Sequence, residues 1–307
     1  MIVLRSDGVL ARLDPVHGGE ILDLVDLETG RQLLGRPPFP SLDPLPGALD
    51  EDAWTDRYRG GWQTVTPNAG SACTVGGERH GFHGRASNDP WQVVELGDAS
   101  ATLRWTGHGL EVTRRVAASG DLLSAETEWL ALRDDAALLD VEHLVVGTEL
   151  ISPAATVRLP GGRAFELSET TGPVRAPASA TGWPDVLLLD GSTERADRIS
   201  VDEPNGRFLA VEELPEGWYE IVIERTGQGL RVEWDIAALP HLWLWREVRA
   251  SGGRWRGQAE LLGLELASVQ HSLGLERALA ENQAVVLAAG ERFVSRVSAH
   301  PFSWGPP

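Results

Sequence analysis

Residues 99–132 read ASATLRWTGHGLEVTRRVAASGDLLSAETEWLAL and contain three successive strand-like segments separated by short turns. In the second segment, GLEVTRRVAAS (109–119), Leu110, Val112 and Val116 share one face and polar residues lie opposite. Apolar residues that recur with a period of two are typical of a β-strand with one buried face. This stretch therefore predicts consecutive strands of a sheet that covers a core.

The same pattern recurs on both sides, with turn signals every 8–12 residues or so. Alternation is clearest in YEIVIERT (219–226) and FVSRVSAH (293–300), and only residues 275–284 are expected to form a short helix. A dozen or more strands without a linker predict an all-β fold, a large antiparallel β-sandwich, with residues 1–307 as one domain. No repeat indicates a propeller, and a pair of separate sandwich domains is the alternative.

Residues 36–52, RPPFPSLDPLPGALDED, combine five prolines with four acidic residues and are expected to form a surface loop. Prolines at this density do not continue a helix or a central strand. No second compact unit ends there, so the segment is not interpreted as an interdomain linker.

The composition excludes several classes of function. The formal net charge of −18 would repel a polyanion such as DNA. Cys73 is the single cysteine, so neither an intrachain disulfide nor a cysteine zinc site is expected. The first residues, MIVLRSDGVL, are too soon charged for a signal peptide, and no apolar run of about 18 residues predicts a membrane span. We expect a cytoplasmic protein that binds neither nucleic acid nor membrane.

Turn-forming residues, histidines, arginines and tryptophans are concentrated between Arg59 and Trp91. Histidine beside glycine lets imidazole and backbone approach a ligand together. His80 and His83 are therefore candidate binding residues, although a loop histidine often has no role. Guanidinium groups match anionic ligands, which makes Arg59 and Arg85 further candidates, with surface charge as the alternative. Arg57 is interpreted as surface charge.

Two titratable residues lie in strongly apolar strand patterns, His143 in LLDVEHLVVG and Glu265 in LLGLELAS. Burial of an unpaired carboxylate is costly, and a histidine can exchange protons near neutral pH. Strand alternation places Glu265 on the same face as Gly263 and Ala267, which leaves room for a ligand. His143 is either a satisfied core histidine or a group that faces a cleft.

Tryptophan offers a flat apolar face for a sugar ring, and most of the 12 tryptophans are expected in the core. Trp243 and Trp245 point the same way on a predicted strand, and His241 shares that face. Asp185 and Asp235 could bind a hydroxyl group but are more often turn or solvated residues. No P-loop, dinucleotide-binding, nucleophile-elbow or HExxH motif is present, so no cofactor or metal is expected.

Several of these segments, in this order, resemble the aldose 1-epimerase (galactose mutarotase-like) superfamily. They cover nearly the whole chain: RGGWQTVTPNAG (59–70), HGRASNDPW (83–91), VEHLVVG (141–147), LGLELAS (262–268) and the closing LAAGERFVSRVSAHPF (287–302). The sequence departs from the superfamily where Leu266 and Ala289 replace prolines and Ser87 replaces an arginine. These differences indicate a branch that has diverged from the standard galactose enzymes of the superfamily.

The resemblance implies a large antiparallel β-sandwich and a catalytic pair. Glu265 would be the general base that takes the proton from the anomeric hydroxyl, and His143 the general acid that protonates the ring oxygen. The ring then opens, the C1–C2 bond rotates, and closure gives the other anomer without metal or nucleotide. His83 and Arg59 would hold the sugar.

Arg85, Trp243 and His80 are expected to complete the substrate-binding set. The expected ligand is a small sugar, either a hexose or an acidic hexose derivative such as a phosphorylated or sulfonated sugar. Two alternatives remain: a non-catalytic carbohydrate-binding or sensing protein, and another sugar reaction on the same scaffold, such as isomerisation or a lyase reaction.

Overall fold

The computed structural model describes residues 1–40, 43, 45–168, 177–252 and 254–303. Its first strands and helix are β1 (Ile2–Arg5), β2 (Val9–Asp14), β3 (Glu20–Asp26), α1 (Glu51–Thr55), β4 (Trp62–Val65), β5 (Cys73–Val75), β6 (Glu78–His80), β7 (Gln92–Leu96), β8 (Ser100–Gly107), β9 (Leu110–Ser119), β10 (Leu122–Ala131), β11 (Ala136–Leu138) and β12 (Val141–Gly147).

The second half continues with α2 (Thr148–Ile151), β13 (Ala154–Arg158), β14 (Arg163–Glu166), β15 (Thr181–Gly182), β16 (Asp185–Leu187), β17 (Thr193–Arg195), β18 (Arg198–Ser200), β19 (Asn205–Glu212), β20 (Trp218–Ile223), β21 (Gln228–Trp234), β22 (His241–Val248), β23 (Glu260–Ala267), α3 (Leu275–Ala280), β24 (Val285–Leu287) and β25 (Arg292–Ser303).

Two large sheets hold most of these strands. The first has the order β1-β2-β3-β4-β12-β23-β22-β19-β14-β16-β17, with β15 beside β14, and the second has the order β18-β13-β20-β21-β25-β10-β9-β8-β7. Neighbouring strands are antiparallel except for β14 and β16, which pair in parallel. The predicted all-β class and large antiparallel β-sandwich are confirmed.

Alternation of burial shows how β10 lies on the core. Along β10, every second side chain from Leu123 to Ala131 is buried and the others are half-buried. The buried apolar positions join Leu110, Val112 and Val116 of β9 in one hydrophobic cluster that also contains Leu144 of β12 in the other sheet. Burial of this apolar surface is the main stabilising term of the fold.

A charged pair joins the two sheets inside this core. The guanidinium of Arg114 on β9 donates from Nη1 and Nη2 to the carboxylate of Glu142 on β12, over 2.5 and 2.9 Å. Arg114 also donates to the hydroxyls of Thr64 and Thr127. Trp62 donates to the same carboxylate from its indole nitrogen. Because both charges are almost fully buried, each depends on the other for its solvation.

The helices were less well predicted than the strands. The expected helix at 275–284 is present as α3, but α1 and α2 were not expected. The prediction of a loop over residues 36–52 was wrong at its end, where Asp50 caps α1 by accepting a hydrogen bond from the backbone N–H of Ala53. Residues 41, 42 and 44 of that segment lie outside the described part. None of the described helices is long and apolar enough to cross a membrane.

Candidate active site

His143 and Glu265 lie side by side in the middle of the first sheet. Strands β12 and β23 are antiparallel neighbours, and their register places His143 directly opposite Glu265. Directly opposite residues project to the same face of a sheet. The imidazole Nε2 of His143 therefore lies 3.3 Å from Oε1 of Glu265, although the two residues are far apart in sequence.

Glycine at position 263 makes room for the Glu265 carboxylate. A β-carbon at Gly263 would lie 2.7 Å from Oε1 of Glu265 and 3.3 Å from the β-carbon of Trp245. The first distance is too short for unbonded atoms, so any side chain there would displace the carboxylate. Gly263 and Glu265 thus lie on the same face of the strand, as the alternation in LLGLELAS predicts.

The pair opens into a cavity of about 330 Å³. Seven aromatic residues line it: Trp54, Tyr58, Phe82, Phe208, Trp243, Trp245 and Trp255. The remaining lining residues are Glu51, Thr55, Gly70, Ser71, His83, His143, Glu247, Arg254, Glu265 and Ser272. A mostly apolar wall with a few convergent polar groups, at about 300–1,000 Å³, is typical of small-molecule sites.

Burial shifts the proton affinities of the pair in opposite directions. It raises the pKa of Glu265 to about 8 and lowers the pKa of His143 to about 4, because a buried group resists ionisation. At neutral pH the pair therefore holds one proton, either on the Glu265 carboxyl or, after transfer across the contact, on the His143 imidazole. One proton donor and one proton acceptor are thus available in a single cavity.

His83 enters the cavity with a defined tautomer. The backbone N–H of Gly70 donates to Nδ1 of His83 over 3.1 Å, so the ring proton lies on Nε2 when the imidazole is neutral. Burial, followed by the neighbouring His143, holds the pKa of His83 well below its usual range. Trp54 and Phe82 pack against the ring, with centroids 4.5 and 4.0 Å away. His83 is therefore a fixed, neutral hydrogen-bond donor.

Gly70 is needed for this geometry. Its φ of +75° lies in the left-handed region, and a β-carbon there would meet the carbonyl oxygen of Ser272 at 1.7 Å. Only glycine permits both the backbone conformation and the close approach of the Ser272 segment. Gly70 thus helps to place the imidazole of His83.

Three residues expected to bind substrate lie outside the cavity. Arg59 forms buried ion pairs with Asp14 and Glu20 and does not line the cavity. Arg85 pairs with Asp89 on the surface, and His80 stacks on His108 with ring centroids 4.2 Å apart. Carboxylates hold the two arginines outside the cavity, and an aromatic partner holds His80 there.

The other candidates from the sequence either lie outside the cavity or use their polar atoms in hydrogen bonds within the protein. Trp243 lines the cavity, but its indole nitrogen donates to the carbonyls of Val269 and Gln270. Arg57 donates to the carbonyl of Ala53, and Asp235 accepts from the backbone of Ala237 in a turn. His241 and Asp185 are not among the cavity's lining residues.

Several cavity residues were missed by sequence reasoning. Trp54, Tyr58 and Trp255 come from loops or from α1 and its exit, where alternation is no guide. Glu247 could have been found, because it follows Trp243 and Trp245 at the same two-residue spacing on β22. Within the described residues, no group of three or more histidine, cysteine, aspartate or glutamate side chains is placed to hold a metal ion.

Neither a protein-family model nor a curated protein matches the chain, but solved structures do. The Slr1438 protein of Synechocystis sp. PCC 6803 is 18% identical, with a TM-score of 0.69 over 98% of this chain and 95% of that one. The galactose mutarotase related enzyme of Lactobacillus acidophilus is 13% identical, with a TM-score of 0.68 over 98% and 97%.

A galactose mutarotase-like protein of Lactobacillus casei is 13% identical and aligns with a TM-score of 0.64, over 98% of this chain and 100% of that one. These alignments run along nearly the whole of each chain. Together with the two-sheet topology, they show that the chain has the galactose mutarotase-like fold.

Proposed function

We propose that this protein is a divergent member of the aldose 1-epimerase superfamily and interconverts the anomers of a free sugar. The observation that carries the proposal is the contact between His143 Nε2 and Glu265 Oε1, 3.3 Å apart in a cavity walled by aromatic rings. Names of structures with the same fold lend support, since two of the three described above refer to galactose mutarotase.

The reaction needs one proton to leave the anomeric hydroxyl and one to reach the ring oxygen. In ring opening, Glu265 accepts the proton from O1 and His143 donates to the ring oxygen, as the superfamily resemblance implies. In ring closure, protonated Glu265 returns a proton to the carbonyl oxygen while neutral His143 takes one from the ring-oxygen hydroxyl. The two one-proton forms of the pair thus alternate, and no proton is gained or lost over a turnover.

His83 and the aromatic wall would hold the sugar during this cycle. The Nε2 proton of His83 can donate to a hydroxyl or to the ring oxygen, and the rings provide apolar faces for the sugar's C–H groups. Fixing the sugar beside preoriented groups removes part of the entropic barrier. A carbohydrate-binding protein without activity is the second candidate, because the His143–Glu265 contact could also serve only as a polar wall.

Exchange NMR between the anomeric protons of α- and β-hexoses tests the proposal. The wild-type protein should add to the uncatalysed exchange rate of at least one hexose. Glu265→Gln and His143→Asn should each lower that added rate by about 10²-fold or more, while Glu95→Gln, on the exposed strand β7, should leave it unchanged.

Two results would contradict this function. Wild-type exchange retained in both variants would remove the pair from the reaction. Sugar binding measured by calorimetry, with no added exchange for any bound sugar, would favour the non-catalytic alternative. The cytoplasmic location expected from the sequence stays a prediction.

A further inference from the structure

One carboxylate in the cavity has no part in the proposed reaction. Glu247 lies on β22, two residues after Trp245, and is 7% exposed. Its Oε1 is buried and has no hydrogen-bond partner among the described residues. A buried carboxylate oxygen without a partner is costly, and burial raises the pKa of Glu247 to about 7. The cavity is therefore incomplete at this point without a donor from a ligand.

The charges of the cavity wall indicate that this hydrogen-bond donor is a cationic group. Glu51, Glu247 and Glu265 contribute three carboxyl groups to the wall. Within the described chain, Arg254 is the only arginine or lysine that lines it, and its guanidinium is already engaged by Asp52 and Asp56. No free positive charge in that part of the wall balances the carboxyl groups.

The aromatic residues beside Glu247 also favour a positively charged ligand group. Trp245 lies 5.9 Å from Trp255 and 6.1 Å from Tyr58, centroid to centroid, and Tyr58 stacks on Trp54 at 5.2 Å. The faces of such rings attract cations, and the attraction is stronger where water is excluded. The electron-rich faces of these rings offer an anion no such attraction.

We propose that the cavity selects a reducing amino sugar, whose ammonium group binds Glu247 and the neighbouring tryptophan and tyrosine rings. This inference rests on the proposed function, because it assigns a substrate class to the same site. It disfavours the phosphorylated or otherwise acidic hexoses that the sequence left open, since the one arginine of the described wall is already paired with aspartates. Glu247 is a specificity residue, distinct from the pair that moves protons.

Titration calorimetry with a panel of sugars tests the inference. The panel contains 2-amino and 6-amino hexoses, their parent hexoses, the N-acetylated 2-amino hexoses and hexose 6-phosphates, at matched ionic strength. At least one amino hexose should bind about tenfold or more tighter than its parent, since charge-assisted hydrogen bonds are the strong ones. N-acetylation, which removes the charge, should abolish that preference, and the 6-phosphates should bind no tighter than the parents.

The Glu247→Gln variant locates the preference within the cavity. It should bind amino and parent hexoses with affinities within about twofold of each other, whereas Glu95→Gln should keep the wild-type ratio. Parent hexoses or 6-phosphates that bind wild type as tightly as every amino hexose would overturn the inference. So would an undiminished preference in Glu247→Gln. The affinities of wild type for the sugar panel test the inference even if Glu247→Gln does not fold.

Exchange NMR on the same sugars separates this inference from the proposed function. Amino hexoses that bind preferentially without faster anomer exchange would contradict the function but support the charge assignment. Equal added exchange and equal affinity for amino and parent hexoses would contradict the inference and leave the function standing.

Discussion

At the scale of single residues, the sequence pattern pointed to His143 and Glu265 as candidates but not to the distance between them. A histidine and a glutamate each stand out because they interrupt strongly apolar strands, and alternation placed Glu265 beside Gly263 on one face. The 3.3 Å contact depends on the register between β12 and β23. Neither strand alone specifies that register, because it is set by pairing between segments far apart in the chain.

The same limitation explains why Arg59 was expected in the cavity. Its glycine-flanked sequence is compatible with a ligand site, but Asp14 and Glu20, which precede it by 45 and 39 residues, take up its charge. Ion pairs between distant segments carry no local sequence signal. The binding role expected for Arg59 therefore has no support from its position.

Glu265→Gln should make the protein less sensitive to alkaline pH. The carboxyl's pKa rises from an ordinary 4.5 to about 8 on folding, so between these values the unfolded chain has released a proton that the folded chain keeps. Stability is then lost as the pH rises from about 4.5 to about 8, and is constant above. Glutamine cannot ionise, so the variant should gain up to a few kcal/mol relative to wild type between pH 5 and pH 9.

Urea unfolding at the two pH values measures this difference. The free energy of unfolding of Glu265→Gln, minus that of wild type, should be larger at pH 9 than at pH 5. The exposed replacement Glu95→Gln serves as the control and should show no such trend. An equal difference at both pH values would mean that Glu265 is not held neutral by burial.

At the scale of secondary-structure elements, the sequence predicted strands more reliably than helices. Strand periodicity is clear in β8 and β10, whereas β12 and β23 are buried on both faces. The short helix α1 lay in a proline-rich, acidic segment, but its signal was present: Asp50 is an N-cap residue, and Glu51 and Asp52 follow in the first turn. This helix matters for the candidate site because it brings Trp54 to the cavity.

The Arg114–Glu142 pair ties β9 in one sheet to β12 in the other, the strand that carries His143. Arg114→Met should destabilise the protein by about 3–5 kcal/mol, because it leaves the Glu142 charge buried and unpaired. The double variant Arg114→Met/Glu142→Leu should recover part of that loss. Urea unfolding of wild type, the single variant and the double variant checks both effects. A single variant as stable as wild type, or a double variant far less stable than the single one, would contradict this interpretation.

At the scale of the whole molecule, the largest hydrophobic cluster of the described residues contains side chains from both sheets. We propose that the chain is a single domain and predict one cooperative unfolding transition. Tryptophan fluorescence reports on the 12 tryptophans spread along the chain, and far-ultraviolet circular dichroism reports on the sheets. The two signals should give coincident curves in urea. Two separated transitions would support the alternative of two sandwich domains.

The fold as a whole tolerates wide sequence change, since the structures compared above share it at 13–18% identity. A fold at that distance does not determine chemistry. The cavity of this chain contains the His143–Glu265 pair, a fixed neutral His83, and an aromatic wall with three carboxyl groups. The proposed activity and its substrate class follow from these side chains.

The pH dependence of the added anomer-exchange rate is the decisive measurement for the His143–Glu265 pair. Because one proton must be shared by the pair, the rate should form a plateau bounded by apparent pKa values near 4 and near 8. The alkaline limb should disappear in Glu265→Gln together with most of the added rate. An added rate that does not change between pH 3 and pH 10, or one that keeps both limbs in Glu265→Gln, would show that these two residues do not carry the reaction.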